Sequence, residues 1–181
     1  MLSPARQRQL AGQSLYVALA LALIVAALLP LAPGRIGVPG PDLLTAMTLA
    51  WVVRRPAQVP APTIGAVALL ADILLFRPPG LGAAITVVAA ETLRRSAHRG
   101  RTQGFIVEWL RAAALMALMV LAERTLRTLF LIPPTLAPLP PLGQDILRLI
   151  ATVGAYPLVV AVLHPLGLRR PSPLELNWPR R

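Results

Sequence analysis

No charged residue occurs between Arg8 and Arg35. Within that gap, residues 14–32 form an apolar run long enough for a bilayer crossing of about 20 residues. Arg6 and Arg8 precede it as an n-region precedes a signal peptide, but the run exceeds an h-region of about 7–15 residues. Pro33 also follows Ala32, where cleavage wants small residues. The run reads as a retained membrane anchor.

Five further apolar segments follow, at residues 43–53, 63–76, 80–93, 105–131 and 146–168. The first of these, opening after Gly40-Pro41-Asp42 and closing at Arg54-Arg55-Pro56, is short. As a helix it reaches roughly 16 Å, about half the hydrocarbon thickness. The next two are joined by Arg77-Pro78-Pro79, a tight hairpin, because two prolines cannot continue a helix. A charge-free loop holding Pro133, Pro134, Pro138, Pro140 and Pro141 separates the last two.

Of the 181 residues 56% are hydrophobic and only 14% charged, with a mean hydropathy of +0.66. A soluble domain carries about 25% charged residues, so lipid is the solvent that suits this chain. The 18 basic residues are all Arg and face 7 acidic ones, a net charge of +11. In a soluble chain that excess points first to nucleic acid. Here the arginines cluster between apolar runs, where they set topology and touch anionic lipid headgroups.

For six crossings, one side receives Arg6, Arg8, Arg54, Arg55, Arg94, Arg95, Arg99, Arg101, Arg169, Arg170, Arg180 and Arg181. The loops of the other side receive only Arg35 and Arg77. The positive-inside rule then places both termini in the cytoplasm. Were the short second segment not to cross, the loop from Arg94 to Arg101 would lie outside, against the rule. The expected fold is an all-α integral membrane protein of six transmembrane helices. It has a cytoplasmic tail over 1–13, one membrane domain over 14–168 and a second cytoplasmic tail over 169–181, with no nucleic-acid partner.

Lipid makes a charged side chain costly, about 2.5–3.5 kcal/mol at a helix centre, so each one inside a segment needs a reason. Asp72 reads either as a buried hydrogen-bonding or ion site, or as a pair with Arg77 that fixes the hairpin. Glu91 shares a helix face with Arg94 and Arg95, and Glu108 repeats the i, i+3 spacing with Arg111. Glu123 and Arg127 form an i, i+4 pair, with Arg124 about 100° away. If the fifth segment crosses as 112–131, Glu123, Arg124 and Arg127 are embedded and need partners, from the regions of Asp145 or Arg148 or another subunit. If it crosses as 105–122, they are interfacial. Trp51 and Trp109 read as interfacial anchors. Ala18, Ala22 and Ala26 make a small-residue stripe of the kind that lets helices approach.

The chain has no Cys, hence no thiolate site. It lacks a nucleophile elbow, a Walker A loop and HExxH. His98 and His164 have no metal-ligand spacing. These absences lead to the expectation of a binding protein with no catalytic residue, metal or cofactor.

The series from Pro41-Asp42-Leu43-Leu44 through Leu49-Ala50-Trp51-Val52-Val53-Arg54-Arg55-Pro56 resembles the MreD family of rod shape-determining proteins, in its alpha-class Gram-negative branch. The likeness continues in Leu69-Leu70-Ala71-Asp72-Ile73-Leu74, Arg77-Pro78-Pro79-Gly80-Leu81, Glu108-Trp109, Glu123-Arg124 and Ala155-Tyr156-Pro157-Leu158-Val159-Val160, covering roughly residues 14–175. It implies a non-catalytic inner-membrane subunit of the cell-elongation machinery that binds MreC. It also implies a place beside MreB, RodA and a class B penicillin-binding protein. The family fold is similar to the substrate-binding S component of energy-coupling factor transporters. That likeness supplies the alternative, a solute-binding S component with Asp72 and Glu123 in its pocket, although the chain has few aromatics to line one. An orphan structural subunit of another complex is a third class. Candidate structural or partner-binding residues are Asp42, Asp72, Arg77, Pro78, Pro79, Gly80, Glu91, Glu108, Glu123, Arg124 and Arg127.

Overall fold

The computed structural model describes residues 3–29, 39–97, 104–130 and 141–166. Every regular element there is helical: α1 (Pro4–Leu28), α2 (Leu43–Arg54), α3 (Ala61–Leu74), α4 (Leu81–Ala97), α5 (Phe105–Leu129) and α6 (Leu142–Leu163). A single 3₁₀ turn, Pro56–Gln58, joins α2 to α3. Arg35, His98, Arg99, Arg101, the proline-rich loop after α5 and the tail over 169–181 lie outside the described residues.

Three helices are long and apolar enough to cross a bilayer: α1 from Arg6 onward, α5 and α6. The other three are shorter, and α2 and α3 are strongly apolar. The first helix starts well ahead of the apolar run, so the 1–13 tail is helical from Pro4. Ser3 caps it, its Oγ accepting the Arg6 N–H at 3.4 Å, and Pro4 brings a φ already fixed for the first helical position.

The short second helix lies at the centre. Ala46 to Val52 are buried without a break, and α1, α4, α5 and α6 all pack on α2. The other five form an arc in which α1 touches α3, α3 touches α4, α4 touches α5 and α5 touches α6. A helix apolar on every side is stable when protein covers every side, so α2 needs no lipid-facing length. This corrects the reading of Trp51 as an interfacial anchor. Its ring is fully buried, edge-on to Tyr16 with centroids 5.5 Å apart and planes at 76°. Its Nε1–H donates to Gln58 Oε1 at 3.1 Å.

On α1 the inward face is Tyr16, Ala20 and Ile24, while Ala18 and Ala22 of the small-residue stripe point outward. Tyr16 Oη lies 3.0 Å from Thr48 Oγ1 of α2, giving the buried phenol a hydrogen-bond partner inside the apolar core.

Candidate functional site

Polar side chains gather in two layers, one at each end of α2. In the first, Asp42 is the N-cap of α2, its Oδ1 accepting the Thr45 N–H at 3.1 Å. Its own N–H donates to Thr152 Oγ1 on α6 at 2.9 Å. Its second oxygen, Oδ2, meets two guanidinium groups, Arg77 Nη1 at 3.6 Å and Arg148 Nη2 at 3.4 Å. Alongside, Arg124 and Asp145 tie α5 to α6 at 2.5 Å, and Glu123 pairs with Arg127 one turn on at 2.5 Å. These side chains line a cleft of about 440 Å³ whose wall also includes Met116, Met119 and Leu149. Arg127 is buried, and its Nε has no hydrogen-bond partner among the described residues. The structure thus brings Asp42, Arg77, Glu123, Arg124 and Arg127 together from three different parts of the chain.

The hairpin of Arg77, Pro78, Pro79 and Gly80 forms one edge of this layer. The third helix ends in a Schellman turn, with the Arg77 N–H on the Asp72 carbonyl at 2.8 Å and the Phe76 N–H on the Ile73 carbonyl at 3.4 Å. The left-handed position of that motif usually belongs to glycine; here it is Phe76, at φ 54° and 89% exposed. Gly80, at φ 88°, then turns the chain into α4.

The Asp72 carboxylate reaches across this turn. Its Oδ2 accepts the N–H groups of Gly80 at 3.1 Å and Ala83 at 3.0 Å. Asp72 therefore caps α4 from the last turn of α3, meeting donors that a helix start leaves open. The expected Asp72–Arg77 side-chain pair is corrected: Arg77 goes to Asp42, and Asp72 goes to backbone. The physical reason is that the positive end of α4 lies within reach of Asp72 and bonds it through two directed donors. Gly82 permits this approach, since a Cβ there would strike the carboxylate.

The second layer lies at the other end of α2. Arg54 Nη2 sits 3.2 Å from Glu108 Oε1, with the two side chains only 7% and 3% exposed. The Tyr156 hydroxyl donates to the same oxygen at 3.0 Å. Glu108, assigned by spacing to Arg111 on its own helix, thus turns inward and joins α2, α5 and α6. Glu91 pairs with Arg94 at 2.5 Å, and Arg94 Nη2 donates to the Val59 carbonyl at 2.5 Å, fastening α4 beside the 3₁₀ turn.

Trp109 is a helix-to-helix tie. Its Nε1–H donates to the Val153 carbonyl at 2.9 Å. Pro157, inside α6, has no N–H for the carbonyl four residues earlier, so that acceptor is open and the indole fills it. Sequence reasoning missed this bond, along with the roles of Thr152 and Tyr156. The available signal was a proline in mid-run, which marks an orphaned carbonyl at a known position.

The two layers also fix direction. The starts of α2 and α6 meet the end of α5 at the Asp42 layer, while the end of α2 meets the start of α5 at the Arg54 layer. Among the described residues every acidic side chain is either ion-paired or capping a helix. Among the same residues no group of three metal-ligating side chains comes together. Chemically, the arrangement holds helices against one another and presents a cleft at the Asp42 layer. No protein-family model, curated protein or solved structure matches the chain.

Proposed function

We propose that the chain is a non-catalytic inner-membrane subunit of the cell-elongation complex, a protein of the MreD kind. In this reading it binds MreC and helps organise sidewall peptidoglycan synthesis beside MreB, RodA and a class B penicillin-binding protein. All six helices cross the bilayer, with both termini in the cytoplasm. One observation carries the proposal: the motifs behind the resemblance fall on the residues that tie the fold together. Asp42, Arg54, Asp72, Arg77, Glu108 and Trp109 each contact a different helix or cap one, and Arg124 and Tyr156 do the same from α5 and α6. Chance likeness among Leu-rich runs has no reason to select those positions. The up-and-down order of helix ends in the two polar layers supports the even number of crossings.

The cleft at the Asp42 layer favours a second reading, the S component of a small-solute transporter. Affinity capture of the tagged chain from membranes in mild detergent, with partners identified by mass spectrometry, separates the two. Recovery of MreC with elongation synthases is the expected result. Recovery of transporter ATPases without MreC overturns it and establishes the second reading.

A further inference from the structure

The cleft holds four arginines, Arg77, Arg124, Arg127 and Arg148, against three carboxylates, Asp42, Glu123 and Asp145. Asp72, the remaining acid at this end, is hydrogen-bonded to the start of α4 and acts on Arg77 only through space, with no ion pair between them. Geometry separates the four arginines into two kinds. Arg124 and Arg127 have close carboxylate partners at 2.5 Å. Arg77 and Arg148 instead converge on one oxygen, Asp42 Oδ2, at 3.6 and 3.4 Å, longer than the roughly 2.7–2.9 Å of a good charge-assisted bond. Each guanidinium carries more N–H donors than the single oxygen it faces can accept.

Two guanidinium groups aimed at one point and underfilled by one carboxylate form a cradle for a tetrahedral oxyanion, which takes a donor from each. The rest of the wall, with Met116, Met119, Val120 and Leu149, suits hydrocarbon. At the mouth Phe76, set in the left-handed position of the Schellman turn, leaves its ring exposed.

We infer that this cleft binds a phosphate group, carried by a lipid whose headgroup sits between Arg77 and Arg148 and whose apolar part meets the methionine wall and Phe76. Free phosphate shares the headgroup's chemistry but makes no use of that wall. The inference rests on the membrane character of the helices and is independent of the elongation-complex reading.

The test is thermal unfolding of the full chain in detergent, titrated separately with dioleoylphosphatidylglycerol, with dioleoylglycerol and with inorganic phosphate. Saturable stabilisation by the phospholipid and none by dioleoylglycerol is expected. Two variants read the geometry with opposite signs. Arg148→Gln, at a side chain 42% exposed, removes half the cradle and weakens the phospholipid about tenfold. Asp42→Asn keeps a good N-cap for α2 but removes the competing charge, so the phospholipid binds several-fold tighter. A merely structural role for these residues predicts losses in both. Inorganic phosphate acting as strongly as the phospholipid, with the same pattern in the variants, makes free phosphate the ligand of the same cradle and overturns the lipid assignment. An equal response to dioleoylglycerol, or unchanged affinity in both variants, overturns the site.

Discussion

Replacing Asp72 by Ala removes the acceptor that starts α4. Two backbone donors, on Gly80 and Ala83, then lose their partner at a position only 2% exposed. Loss of a helix cap costs about 1 kcal/mol, and each buried donor left unmade costs about 1–3 kcal/mol. The bond from Gly80 is only part-buried, so water can replace it, while the Ala83 N–H is buried. The net cost is therefore about 2–4 kcal/mol, a fall in Tm of roughly 5–15 °C for a chain of this length. Unfolding followed by tryptophan fluorescence in detergent reads it, because Trp51 is fully buried and Trp109 partly so. Asp72→Asn, which keeps one acceptor oxygen, loses less than half as much. Arg77→Gln breaks only a loose, partly exposed pair with Asp42 and costs about 1 kcal/mol or less. Equal losses for Asp72→Ala and Arg77→Gln would mean that the two side chains hold the hairpin through each other, and the capping argument would fail.

Glu108→Ala leaves Arg54 buried without its carboxylate, so it lowers stability by about 3–5 kcal/mol, whereas Tyr156→Phe costs about 1 kcal/mol; denaturation in the same detergent compares them. Trp109→Phe costs about 1 kcal/mol in the wild-type chain. The loss shrinks in a Pro157→Ala background, where residue 157 supplies its own N–H to the Val153 carbonyl, and a double-mutant cycle measures the coupling. Phe76→Gly relieves a left-handed backbone worth about 1–2 kcal/mol and raises Tm by a few degrees; a lower Tm would show that the exposed ring anchors the hairpin.

The helices were legible because apolar runs and prolines carry local information. The hairpin at Arg77-Pro78-Pro79 stands where two prolines forbid a helix, and α2 opens at Asp42, a residue whose side chain caps its own helix. Partner choice was not legible, because spacing along one helix ranks only neighbours on that helix. Glu108 has Arg111 at i+3, yet Arg54, fifty-four residues away, is the partner that tertiary packing delivers into a buried site. Trp51 has a similar history: an indole next to two arginines matches an interfacial anchor locally, and only the central position of α2 makes it core. Asp72 is the sharpest instance. Its sequence neighbour of opposite charge is real, but α4 folds back close enough to offer two backbone donors, and Arg77 is left for Asp42.

The length of α2 connects the two polar layers to the bilayer. Its 12 residues measure about 18 Å, and the charges at its ends, Asp42 and Arg54, mark the two layers. A hydrocarbon core is about 30 Å thick. If α2 crosses, at least one layer lies below the hydrocarbon surface, or the bilayer thins to meet it. An unpaired charge at such depth is costly, and the acidic groups of both layers are accordingly all paired or capping. The Arg54–Glu108–Tyr156 layer is closed and buried, the state expected of charges with no route to water. The Asp42 layer is open to a cleft, and its Arg77 and Arg148 are partly exposed. The asymmetry makes the Asp42 end the one through which the proposed lipid phosphate would enter, and the closed Arg54 layer ties the helices at the other end.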